Sequence, residues 1–231
     1  MPTYLAAVAG FILIHTGLSA TRLRDVAVKR MGEWPYRAVY SLASIALLAA
    51  MIGAYGGLRY SPENRIYFIA PAWAGHIALL LIVLGLLLAI MGFLSPGPTL
   101  AGGEGLLARP EPARGALRLT RHPFLWGTSL WAAGHLIVNG DRVSLIFFGS
   151  LLLVALLGTR SIDRKCAKRN PAGWAPFLAK TSNLPFAALV QGRNRLAIGE
   201  LAWRALIALA LTAALYWAHP ILFGAIPRPP A

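Results

Sequence analysis

The chain has 231 residues, 57% of them hydrophobic and only 13% charged, against about 25% charged in soluble domains. So little polar surface cannot cover a soluble globule, which leaves an integral membrane protein. The net charge of +14 does not form a separate basic domain but flanks apolar runs, which excludes a nucleic-acid-binding module and fits the excess of Lys and Arg in cytoplasmic loops.

Apolar runs occupy about 4–20, 38–58, 73–95, 124–139, 143–160 and 203–224. A helix needs about 20 apolar residues to cross the hydrocarbon. The second, third and sixth runs reach that length alone, and the others reach it with mildly polar flanks. The expectation is an all-α, polytopic bundle of about six transmembrane helices, forming a single domain over 1–231. Asp141 and Arg142 mark a tight turn between the fourth and fifth runs. The two long connections, about 96–123 and 161–202, are basic and interrupted by Pro and Gly, and are expected to lie along the membrane surface.

Of the 22 Lys and Arg, Arg59, Arg65, Arg142 and Arg228 fall in one set of alternate segments and the other 18 in the opposite set. This places both termini on the non-cytoplasmic side of a membrane, expected to be a bacterial inner membrane. The first run has no basic residue before it and reads as a retained helix rather than a cleaved signal. The single cysteine, Cys166, makes no internal disulfide, and without CxxC or CxxCH neither a zinc ribbon nor covalently held haem is expected. Its neighbours Arg164, Lys165, Lys168 and Arg169 are of the kind that lower a thiol pKa.

Five histidines are the most informative residues. His15, His76, His135 and His219 lie within or at the ends of apolar runs, where an ionisable side chain normally faces the bundle interior. They either hydrogen-bond helices together or hold a metal or haem. No HxxxH pair and no intramembrane carboxylate supports a mononuclear iron or zinc site, whereas haem b suits apolar helices with axial histidines. Depth favours His135, His76 and His219 as one group toward the outer side. His122, in "LRLTRHPFLWG", stands at the entrance of the fourth run. Pro123 suits a first helical turn, and Arg118 and Arg121 add positive charge for an anion such as a phosphate, a carboxylate or a haem propionate.

The segments "FILIHTGLSATRLRD", "LRLTRHPFLWGTSLWAAGHLIVNGD", "KTSNLPFAALVQGRNRL" and "YWAHP" resemble the NnrU family over nearly the whole chain. That family is associated with denitrification and nitrogen-oxide metabolism and is related to the 15-cis-zeta-carotene isomerases, integral membrane haem b enzymes. The resemblance implies haem b held by His15 and His135; depth leaves His219 or His76 as alternative ligands, and their place at the helix entrance makes Arg118, Arg121 and His122 further candidate cofactor-binding residues. It implies a hydrophobic small-molecule substrate, and redox, nitrogen-oxide or cis–trans isomerase-like chemistry. The isomerases carry a cysteine three residues before the second histidine; this chain has Ala132, so their redox ligand switch does not carry over.

The stretch around His122 also resembles the RHPxYxG signature of membrane methyltransferases of the isoprenylcysteine carboxyl methyltransferase type. "NPAGWAPFLAKTSNLPF", with Trp174, Phe177 and Phe186, resembles their following aromatic segment. That likeness implies S-adenosylmethionine as an alternative cofactor, although only Asp163 stands where those enzymes carry a glutamate pair. A third alternative is a non-catalytic accessory protein of a nitrogen-oxide reductase system.

Overall fold

A computed structural model describes residues 1–19 and 21–227; Arg228, counted above in the charge asymmetry, lies outside the described residues. Each of the six apolar runs folds into a helix. Helix α1 (Pro2–Ile12) continues through a wider π turn (Leu13–Leu18) and is followed by α2 (Arg22–Met31). Then come α3 (Glu33–Leu58), α4 (Ala72–Phe93), α5 (Pro123–Val138), α6 (Arg142–Arg169), α7 (Pro171–Lys180), α8 (Ala187–Val190) and α9 (Ile198–Phe223). The described residues form no strand, only one isolated antiparallel bridge between Ile66 and Asp141.

The helix starts follow from local chemistry. Thr21 caps α2, Asp141 caps α6 through the Ser144 amide at 2.9 Å, and Asn170 caps α7 through the Gly173 amide at 2.9 Å. Pro123 stands at the first position of α5, as the sequence predicts.

Four helices, α3, α4, α6 and α9, are long and apolar enough to cross a membrane, or up to five spans if the bent α1–α2 pair counts as one. The expectation of about six is not met by that measure. Helix α5 has 16 residues, about 24 Å of rise against about 30 Å of hydrocarbon. Pro123 fixes its start, and the Asn139–Gly140–Asp141 turn ends it.

Contacts between neighbours run α9, α4, α5, α6 in order, with α1 and α3 packed on α6 and on each other. The tightest seam joins α4 and α5. A Cβ on Gly127 would meet the Ala89 amide nitrogen at 2.4 Å, and one on Gly85 would meet that of Trp131 at 2.5 Å. The backbones therefore touch, the close approach that small residues permit between membrane helices. The main core lies toward the end of the bundle opposite the basic loops: Tyr4, Phe11, Met51, Val143, Phe147 and Phe148 pack there, and the Tyr4 hydroxyl donates to the Val143 carbonyl at 2.8 Å. Outward faces stay apolar. Leu42 on α3 and Ile221 on α9 are 68% and 88% exposed, and such surface is covered by lipid rather than water.

The connection 96–123 differs from its expectation. It does not simply rest on a surface: Leu107 and Ala113 pack with Cys166, Trp174 and Phe177 into a second, smaller core, and Ala116, Leu117 and Thr120 are buried. The 161–202 connection likewise begins as helix, because α6 runs on to Arg169.

Candidate functional site

Two groups of candidate residues sit toward the basic end of the bundle. The first surrounds a cavity of about 1010 Å³, bounded by the π turn, α2, α3, α6, the 98–104 loop and the first turn of α5. That is at the upper end of the range for ligand pockets, about 300–1,000 Å³. Leu125, Val154, Leu157, Gly158 and Ile162 make part of its wall apolar, and charged side chains of α2, α3 and α6 line the rest.

His15 lies in this wall. Its Nδ1 is 2.7 Å from the Phe11 carbonyl oxygen, and its ring packs on Phe11 at 4.2 Å and edge-on to Tyr40 at 5.5 Å. A carbonyl can only accept, so Nδ1 carries the proton and Nε2 keeps its lone pair. That is the arrangement by which a metal-ligating histidine is oriented from behind. The π turn itself, a geometry frequent at functional sites, places this ring.

His135 is elsewhere. It stacks on Phe148 of α6 with centroids 4.3 Å apart and meets Trp131 edge-on at 4.8 Å. The cavity that holds His15 begins on α6 at Val154. No hydrogen bond or ring contact among the described residues joins His15 to His135, and His135 does not line the cavity that His15 lines. His219 lies close enough to His135 for their charges to interact, and its Nδ1 donates to the Ala225 carbonyl at 2.7 Å. His76 is exposed on the first turns of α4 and joins neither group.

The second group is the junction formed by the "TRHP" segment. Asp163 on α6 accepts from Arg121 Nε at 2.9 Å and Nη2 at 2.6 Å, and faces His122 Nε2 at 2.7 Å. Asn183 approaches the same carboxylate at 3.4 Å and accepts from Trp126 Nε1 at 3.1 Å. The backbone closes the knot: the Arg121 amide donates to the Ser182 carbonyl, and the Phe186 amide to the Leu119 carbonyl, with Phe186 in the left-handed region at φ 64°. His122 is 2% exposed, and its Nδ1 has no partner among the described residues. With Nε2–H donating to the carboxylate, Nδ1 is left as a bare acceptor. Burial pushes the His122 pKa down, against the opposing pull of Asp163.

Arg118 forms a separate pair. Its Nε and Nη2 each lie 3.0 Å from the Glu200 carboxylate of α9, and its Nη1 donates to Asn194 at 2.9 Å. Both arginines singled out as anion donors therefore spend their forks on carboxylates of this chain. Cys166 is buried, with Sγ 3.7 Å from the Pro98 carbonyl, and serves as a packing residue. Asp163 is the residue that sequence reasoning undervalued. Its signal was a lone acid on a helix whose other charges near it are basic.

The model of the family described as NnrU protein matches residues 3–227. The chain belongs to the NnrU family. Among curated proteins it is similar to the chloroplastic 15-cis-zeta-carotene isomerase of Arabidopsis thaliana, 27% identical over 226 residues, covering 93% of this chain and 59% of that protein. The Zea mays protein of the same description is 27% identical over 223 residues, covering 92% of this chain and 58% of the relative. The chain thus spans less than two thirds of the length of these relatives. No solved structure matches it.

Proposed function

We propose that this NnrU-family membrane protein holds haem b in the large basic-end cavity through His15 and carries out redox or isomerase-like chemistry on an apolar small molecule. The observation that carries the reading is the orientation of His15: Nδ1 donates to the Phe11 carbonyl, so Nε2 is free as a base on the wall of a cavity large enough for a cofactor. Haem b, when bound, supplies one-electron chemistry. The residues of this chain do the rest. Phe11 and Tyr40 hold the imidazole plane, and Leu125, Val154 and Leu157 offer apolar contact. The likeness to proteins named 15-cis-zeta-carotene isomerase supports an apolar, conjugated substrate.

The test is the visible spectrum of protein purified in detergent from haem-replete cells, oxidised and reduced, with a pyridine haemochrome assay. Stoichiometric b-type haem is expected, lost in His15→Ala and retained in His122→Ala and His135→Ala. Loss in His135→Ala with retention in His15→Ala moves the site to the His135–His219 group. A preparation that stays colourless after adding hemin overturns the haem reading.

A further inference from the structure

We propose that the polar end of the same cavity is an anion subsite, built to take the carboxylate or phosphate of an amphipathic ligand whose apolar body lies along α5 and α6. This inference shares the cavity with the haem reading but does not depend on it.

Most charges around the cavity are internally matched. Arg24 and Arg37 pair with Glu33 at 2.6 and 2.9 Å, Arg37 and Arg169 with Glu104 at 2.7 and 2.9 Å, and Lys168 with Asp25 at 3.0 Å. Three cations that line it, Arg22, Arg164 and Lys165, have no ion-pair partner among the described residues. Lys165 is the telling one, because its side chain is half-buried and lies within electrostatic reach of His15. A half-buried ammonium without a counter-charge is costly unless something of opposite sign arrives.

A second, independent feature lies on the same wall. Tyr36 is 6% exposed, and its buried hydroxyl has no hydrogen-bond partner among the described residues. Its ring is held in place, stacked with Tyr40 at 6.0 Å and under the Arg24 guanidinium at 5.3 Å. Buried tyrosine hydroxyls normally find a partner. An orphaned donor and an uncompensated cation line one cavity, and the Leu125, Val154, Leu157 and Ile162 side of its wall is apolar; together they match an anionic head on an apolar body.

Two ligands share that chemistry, a haem with its two carboxylates and a single-chain lipid anion, and paired probes separate them. Binding to the full chain in neutral detergent is measured by equilibrium dialysis for oleate against oleyl alcohol, and by absorbance titration for hemin against its dimethyl ester. At least one anionic probe is expected to bind about tenfold more tightly than its neutral analogue. Lys165→Met is expected to erase that preference without weakening the neutral probe, and Tyr36→Phe to reduce it about threefold. Thermal unfolding of both variants shows that the fold is kept. Preference for oleate alone assigns the subsite to a lipid anion and leaves the haem reading to fail by itself. Preference for hemin over its ester assigns it to the propionates. Equal binding of charged and neutral probes in both pairs, or a preference that survives Lys165→Met, overturns the subsite even if haem is bound.

Discussion

At the residue scale the decisive group is the Asp163 carboxylate, which satisfies a guanidinium fork and an imidazole at once, both buried. Removing one partner of such a cluster leaves the others as buried, uncompensated polar groups, worth about 3 kcal/mol or more. Asp163→Asn should therefore lower the unfolding midpoint sharply in detergent, measured against the parent protein by thermal unfolding. The acid side of the unfolding profile carries a second signature. Burial pushes the His122 pKa below its ordinary value of 6.5, so the unfolded chain takes up that proton first. Stability from this site is complete above about pH 7 and falls as the pH drops through 6.5. His122→Gln should flatten that part of the profile between pH 7 and 5.5; an unchanged slope would assign it to other groups. The start of α5 at Pro123 was legible in the sequence because proline chemistry is local. Its partner was not: Asp163 lies some forty residues away and meets His122 only because α5 and α6 pack side by side.

At the element scale α4 and α5 form one stiff unit. Gly85, Gly92, Gly127 and Gly134 each sit where a Cβ would come within 3 Å of atoms of the other helix. Since the obstacle at Gly127 is backbone, it cannot swing aside. Gly127→Val should force the helices apart, lowering the unfolding free energy by more than the roughly 1–3 kcal/mol typical of overpacked cores and the unfolding midpoint with it. Substitution at Gly53 or Gly57, which have open space around them, should leave it nearly unchanged. All six apolar runs were readable as helices from hydropathy alone. The span count was not, because hydropathy sees apolar flanks while the cap residues decide where a helix stops. The π turn at His15 was equally invisible, since no residue pattern marks a single widened turn.

At the scale of the whole molecule, the helix row α9–α4–α5–α6, with α1 and α3 both packed on α6, has a tight side and a loose side. On the loose side, α2 and the π turn border the large cavity and bury no residue fully. Hydrogen exchange followed by mass spectrometry should find residues 13–31 exchanging faster than 78–93 and 123–135. Addition of the ligand that fills the cavity should slow the first segment and leave the others alone. Uniform protection across both would mean that the row moves as a single block. The cavity was beyond the reach of the sequence for a plain reason. Its walls come from five separate stretches, and an empty volume leaves no mark on any one of them.

The widened turn at His15 has a kinetic consequence. Thr16, Ser19 and Thr21 fold their hydroxyls back onto the carbonyls of Ile12, His15 and Gly17, so this part of the helix is tied partly by side chains rather than by amides alone. Such ties break and re-form one at a time. Should the cavity take the ligand proposed for it, residence time there would be set by the breathing of these few residues, with the remainder of the bundle standing still.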